Sequence, residues 1–150
     1  MLQPVAHSLL QCREELRARV EGLTPEQIWA RPSGVASIGF HARHAAGSVD
    51  RLFTYARGER LAAVQLAALA AEADPDHGPN ADATLIAGFD GAVDRALEQL
   101  RTTSETTLTD ARGVGRAQLP STVVGLLFHA AEHAQRHIGQ LVTTTKVLCP

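Results

Sequence analysis

The stretch Val123-Val124-Gly125-Leu126-Leu127-Phe128-His129-Ala130-Ala131-Glu132-His133-Ala134-Gln135-Arg136-His137-Ile138-Gly139-Gln140-Leu141 decides the fold. At about 100° per residue, Val123, Leu127, Ala130, Ala134, Ile138 and Leu141 share one side, so the segment reads as a helix with one buried face. It is expected to start around Pro120-Ser121 and to run to about Val147. The same segment carries His129, His133 and His137 at successive steps of four, each step turning about 40° around the helix. Measured from Val123, His133 lies at about 280° and His137 at about 320°, on the edge of the apolar stripe, with His129 near 240° and closer to solvent. Imidazoles four residues apart have Cβ atoms about 6 Å apart and can reach one cation. A zincin helix uses that spacing too, but it places Glu after the first His, where both pairs here have Ala.

Upstream, the helical period continues. Val5, Leu9, Cys12, Leu16 and Val20 form one stripe, stopped by Gly22. Thr24-Pro25-Glu26-Gln27 reads as a capping box with proline at the first helical position, opening a short turn through Ile28 and Trp29 that Arg31-Pro32-Ser33-Gly34 breaks. Ser37 is a good N-cap for a second long helix, Ile38 to about Arg57, with Ile38, Ala42, Ala45, Val49, Leu52, Phe53 and Ala56 inward and Gly58 at its end. The Ala- and Leu-rich run from Leu61 to Ala73 is read as helical, and Asp74-Pro75-Asp76-His77-Gly78-Pro79-Asn80 as a loop. Asn80 is expected to cap a third long helix that buries Leu85, Phe89, Val93, Ala96, Leu97 and Leu100. A polar link from Thr102 to Gly115 leads to the last helix. No segment alternates with period two for long enough to be read as a strand. Four long amphipathic helices and one or two short ones predict an all-α bundle in a single domain spanning 1–150.

The composition narrows the function. With 14 basic and 16 acidic side chains there is no basic excess for nucleic acid to meet. No apolar window is long enough for a membrane span, and no charged segment followed by an apolar run marks a signal peptide. Cys12 and Cys149 are too few for a disulfide framework. The expectation is a cytoplasmic protein with reduced thiols, Cys12 in the core and Cys149 frayed. Aromatic residues make up only 4% of the chain, so an aromatic-lined drug or flavin pocket is not expected.

The pair His133 and His137 needs a third ligand. On the second long helix His41 and His44 fall near 300° and 240° from Ile38, both flanking the apolar stripe, and the angles leave the choice between them open. Three neutral imidazoles from two helices leave coordination positions free, as catalytic sites do. Against this stands the plain reading that histidines at a bundle edge are packed or half-solvated side chains with no special role.

Two segments resemble the DinB/YfiT-like bundles of bacteria: Ser37-Ile38-Gly39-Phe40-His41-Ala42-Arg43-His44-Ala45-Ala46-Gly47-Ser48-Val49-Asp50-Arg51-Leu52 and His129 to Leu141, the latter closing with His137-Ile138-Gly139-Gln140. The resemblance implies a four-helix bundle of up-down-down-up topology. It implies a divalent metal, often zinc, nickel or iron, held by His44, His133 and His137, because His44 occupies the slot followed by Ala-Ala-Gly. It further implies a metal-dependent transfer of a low-molecular-weight thiol (bacillithiol, mycothiol or glutathione) to a small electrophile, and frequent homodimers. The alternatives are a non-enzymatic metal-binding or stress-response bundle and a metal-dependent hydrolase.

Other residues take lesser parts. His41 and His129 are expected to donate hydrogen bonds to the ligands or to line the pocket. Glu132, at about 180°, is read as a solvated or interface charge, Asp50 as a salt-bridge partner away from His44, and Trp29 as a lid on the core. An Ala face of the run Leu61 to Ala73 is expected to meet a second subunit.

Overall fold

The computed structural model describes residues 2–149, so the two end residues of the expected 1–150 domain lie outside the described residues. The chain is mostly helical: α1 Gln3–Val20, α2 Pro25–Trp29, α3 Ile38–Ala56, α4 Ala63–Ala70, α5 Ala81–Thr102 and α6 Val123–Leu148. Helix α3 packs against both α6 and α5, and α1 packs against the same two helices from the other side. The apolar stripes read from the sequence meet in one core. Leu9, Cys12 and Leu16 of α1, Ile38, Ala45 and Val49 of α3, Phe89 and Val93 of α5, and Leu127, Ala134, Ile138 and Leu141 of α6 are all fully buried. Polar contacts fix neighbouring helices outside the core, as between Arg13 of α1 and Asp94 of α5 at 2.6 Å and between Arg17 and Asp90.

The capping chemistry explains where the elements start. The hydroxyl of Thr24 accepts from the Gln27 backbone N–H, and the Gln27 side chain accepts from Thr24 N–H, completing the capping box of α2. Ser37 accepts from Phe40 N–H at 3.1 Å and starts α3. Asn80 does not act as the expected side-chain cap of α5. Its backbone, at φ −115° and ψ 32°, is not in the extended conformation that aims a cap side chain at the first turn. Gly58, at φ +78°, turns the chain out of α3 in a conformation that favours glycine.

Three further readings are corrected. The link between α5 and α6 contains a two-stranded antiparallel hairpin, β1 Ala111–Val114 with β2 Leu119–Thr122. Its strands are four residues long and include Gly113 and Pro120, so they carry no alternating pattern. Pro120 and Ser121 pair with Gly113 and Arg112, so α6 starts later than expected, at Val123, with Thr122 as the cap that accepts from Gly125 N–H. Cys149 is not loose: its sulfur accepts a hydrogen bond from the Gln27 side chain at 3.4 Å.

Trp29 closes one end of the bundle. Its indole N–H donates to the Asp76 carbonyl at 2.8 Å, and the Arg43 guanidinium lies 4.6 Å over its ring. Gly39 makes this packing possible, because a Cβ there would sit 2.7 Å from the indole. Among the described residues no helix is long and apolar enough to cross a membrane.

Candidate metal centre

Helices α3 and α6 meet through small residues. Ala42 and Ala45 on one side and Ala130, Ala131 and Ala134 on the other are buried, so the two backbones approach closely. Close approach carries the stripe-edge histidines of both helices into contact. His44 Nε2 lies 2.9 Å from His133 Nε2, and the His137 ring lies 4.4 Å from that of His44 and 4.7 Å from that of His133, between centroids. One nitrogen from each of these residues falls within 4.8 Å of the others, a spacing that could hold a metal ion. Phe40 stacks on the His44 ring with 15° between planes and limits its rotation.

The proton on His44 is placed by a residue that the sequence reading missed. Glu72, in the turn beyond α4, brings a carboxylate oxygen 2.7 Å from His44 Nδ1, and its other oxygen accepts from Arg51 at 2.6 Å. Burial alone would raise the Glu72 carboxyl, but the hydrogen bonds from His44 and Arg51 and the positive charge of Arg51 outweigh it and hold the group below its usual range. An ionised carboxylate only accepts, so His44 Nδ1 donates and Nε2 keeps a free lone pair. Gly47 leaves the space for this arrangement. A Cβ there would lie 2.6 Å from both the Arg51 guanidinium and the Glu72 carboxylate.

The remaining imidazoles are poised to be neutral. Burial, then the neighbouring His44 and His133, pushes His137 down to about 4. Burial also lowers His133 and His41, with His44 adding to both shifts. His41 is buried and pairs with His137 through their Nδ1 atoms at 3.1 Å, which leaves Nε2 of His137 as its second ring nitrogen. His133 Nδ1 is buried without a hydrogen-bond partner, and its Nε2 faces only another imidazole nitrogen. Imidazole nitrogens that converge from two helices, with His44 Nε2 facing His133 Nε2 and a carboxylate backing His44, suit a borderline cation. The residues present therefore fit a transition-metal ion.

The other sequence candidates lie around this cluster. His129 is half exposed, with its ring 5.5 Å from that of His133, and it pairs with Glu132 at 3.1 Å. Glu132 also binds Arg136, so it is the surface charge expected of it. Asp50 accepts from Gln65 and faces Arg95 at 3.3 Å, away from His44. A hollow of about 270 Å³ opens beside His44 and His133, walled by Leu52, Leu61 and Leu69, with Ser48, Arg51, Tyr55 and His129 as its polar side chains.

The family model described as the DinB superfamily matches residues 8–141. No curated protein matches the chain.

Proposed function

The chain belongs to the DinB superfamily, and on that premise we propose a divalent-metal-dependent enzyme that transfers a low-molecular-weight thiol to a small electrophile. His44, His133 and His137 would hold the ion, with zinc, nickel and iron all compatible with three imidazole donors. The up-down-down-up helix order expected from the sequence belongs to the same reading. One observation carries it: His44 Nε2 meets His133 Nε2 at 2.9 Å while Glu72 holds the proton on the opposite nitrogen of His44.

When bound, the ion would supply Lewis acidity that lowers the pKa of a thiol, whose thiolate is the nucleophile. The chain's own residues do the rest. Glu72 fixes the His44 tautomer and makes that imidazole a stronger donor, and Arg51 holds Glu72 in place. Leu52, Leu61 and Leu69 give the hollow an apolar wall that excludes water from one side of the reacting groups. His129 lines the hollow beside His133 and adds a half-exposed polar group to it.

A homodimer fits the outward side of α4. None of its eight residues is buried, and Val64 is 73% exposed. A sedimentation mass near twice the 16.0 kDa of one chain is the expected result.

The test of the activity is conjugation of a panel of thiols to small electrophiles by zinc-, nickel- and iron-loaded protein, with the His133→Ala variant alongside. Turnover that needs both metal and thiol, and that the variant lacks, is expected. Ester cleavage without any thiol would move the assignment to a hydrolase. No turnover on either panel would leave a binding module.

A further inference from the structure

The hollow beside His44 and His133 does not end at those residues. Tyr55 and Leu61 line it, and the same two residues line a second hollow of about 560 Å³ between the end of α3 and the β1–β2 hairpin. Leu69 of α4 borders the first and Leu66, one turn earlier, borders the second. The pair is of a size that suits an extended small molecule.

The charges at the hairpin end are unusual for this chain. Most of its arginines face a carboxylate, as Arg13, Arg51, Arg57 and Arg95 do. Arg60 and Arg116, both exposed, border the second hollow and have no partner among the described residues. Among the described residues the one acid lining it, Glu59, is engaged by Arg57 at 2.8 Å. The Tyr55 hydroxyl at the junction is also without a partner. Each of these guanidiniums, without a carboxylate partner, can bind an oxyanion through two N–H groups.

We propose that one elongated anionic ligand occupies both hollows, with a carboxylate between Arg60 and Arg116 and an uncharged chain passing Tyr55 and Leu61 to a donor atom at His44 and His133. The metal-binding reading supplies the second anchor, and the proposal rests on that reading for this end alone. It narrows the thiol class to thiols that carry an acid group several bonds from the sulfur. The hairpin becomes the part of the chain that selects the ligand.

The experiment is calorimetric titration of metal-free and zinc-loaded protein with ω-mercaptohexanoate, ω-mercaptooctanoate and ω-mercaptoundecanoate, each against the ω-mercapto alcohol of the same length. In both forms the acid should bind roughly tenfold more tightly than its alcohol at the length that spans the two hollows. Zinc should tighten both members of that pair. The Arg60→Ala/Arg116→Ala double variant, changed only at exposed positions, should lose the preference for the acid and keep the affinity for the alcohol. Arg19→Ala, at another arginine without a partner among the described residues, should change neither. Equal binding of acid and alcohol, or a preference that survives in the double variant, overturns the proposal. Affinity for the acid and its alcohol that zinc does not raise, in protein shown by elemental analysis to hold zinc, overturns the spanning ligand. Protein that retains no zinc sinks the metal reading and the spanning ligand with it, while the comparison on metal-free protein still decides the anion end.

Discussion

The Glu72 carboxylate lies 2.7 Å from Nδ1 of His44, reaching it from the turn beyond a helix that buries none of its own residues. Helix α4 is held to α3 by polar side chains. Gln65 donates to Asp50 and Thr54, and Glu72, seven residues on, accepts from His44 and Arg51. Its segment is thus anchored by the histidine cluster it supports. Glu72→Gln keeps the shape but removes the charge that makes His44 a strong donor, and zinc affinity should fall roughly tenfold. Competition with a chromophoric chelator measures this, and unchanged helical circular dichroism would show that the loss is local.

Gly47→Ala tests the same contact from the other side. The added Cβ would lie 2.6 Å from the ends of both Arg51 and Glu72, two flexible side chains that can move aside. The expected result is a weaker zinc site with little change in unfolding free energy. A destabilised protein with normal zinc affinity would contradict the assignment of that space to the Glu72–Arg51 pair.

Gly39→Ala should behave in the opposite way. Its Cβ would meet the indole of Trp29 at 2.7 Å, and that ring is fixed by the hydrogen bond to Asp76. Overpacking against a rigid ring costs about 1–3 kcal/mol. Urea unfolding followed by the fluorescence of Trp29, the one tryptophan in the chain, reads the effect directly.

Cys12 gives a prediction on pH. Burial, then the nearby Glu15, pushes its thiol up to about 12. An unfolded cysteine ionises near 8.5, so the native state keeps a proton that the unfolded state releases in between. The associated stability is fully present below pH about 8.5 and falls by about 1.4 kcal/mol per unit as pH rises toward 12. Cys12→Ala should lose that slope in urea midpoints measured from pH 8 to 10. In native protein at pH 8, a thiol reagent should modify Cys149 and leave Cys12 untouched.

The residues that make the core were legible because helical burial repeats in sequence. Leu9, Cys12 and Leu16, or Leu127, Ala134 and Ile138, announce themselves by spacing alone. The cluster was legible for the same reason, since His133 and His137 share a stripe edge with the flank that presents His41 and His44. The distances put His44 beside His133 and His41 against His137, a distinction that helix angles did not make. Glu72 was hidden because it is 28 residues from His44 in a run read for its alanines and leucines. The signal was there: Gln65 and Glu72 are the only polar residues from Leu61 to Ala73, and both point at α3. The hairpin was hidden because its order comes from pairing between two short strands, with no local period to betray it.

The central claim is that His44, His133 and His137 hold one ion. The measurement is elemental analysis of protein purified without a histidine tag and dialysed against zinc, nickel or iron, for wild type and for His133→Ala. About one equivalent of a transition metal in wild type, lost in the variant, is the predicted result. No metal in wild type after all three dialyses, or the same content in the variant, would contradict it.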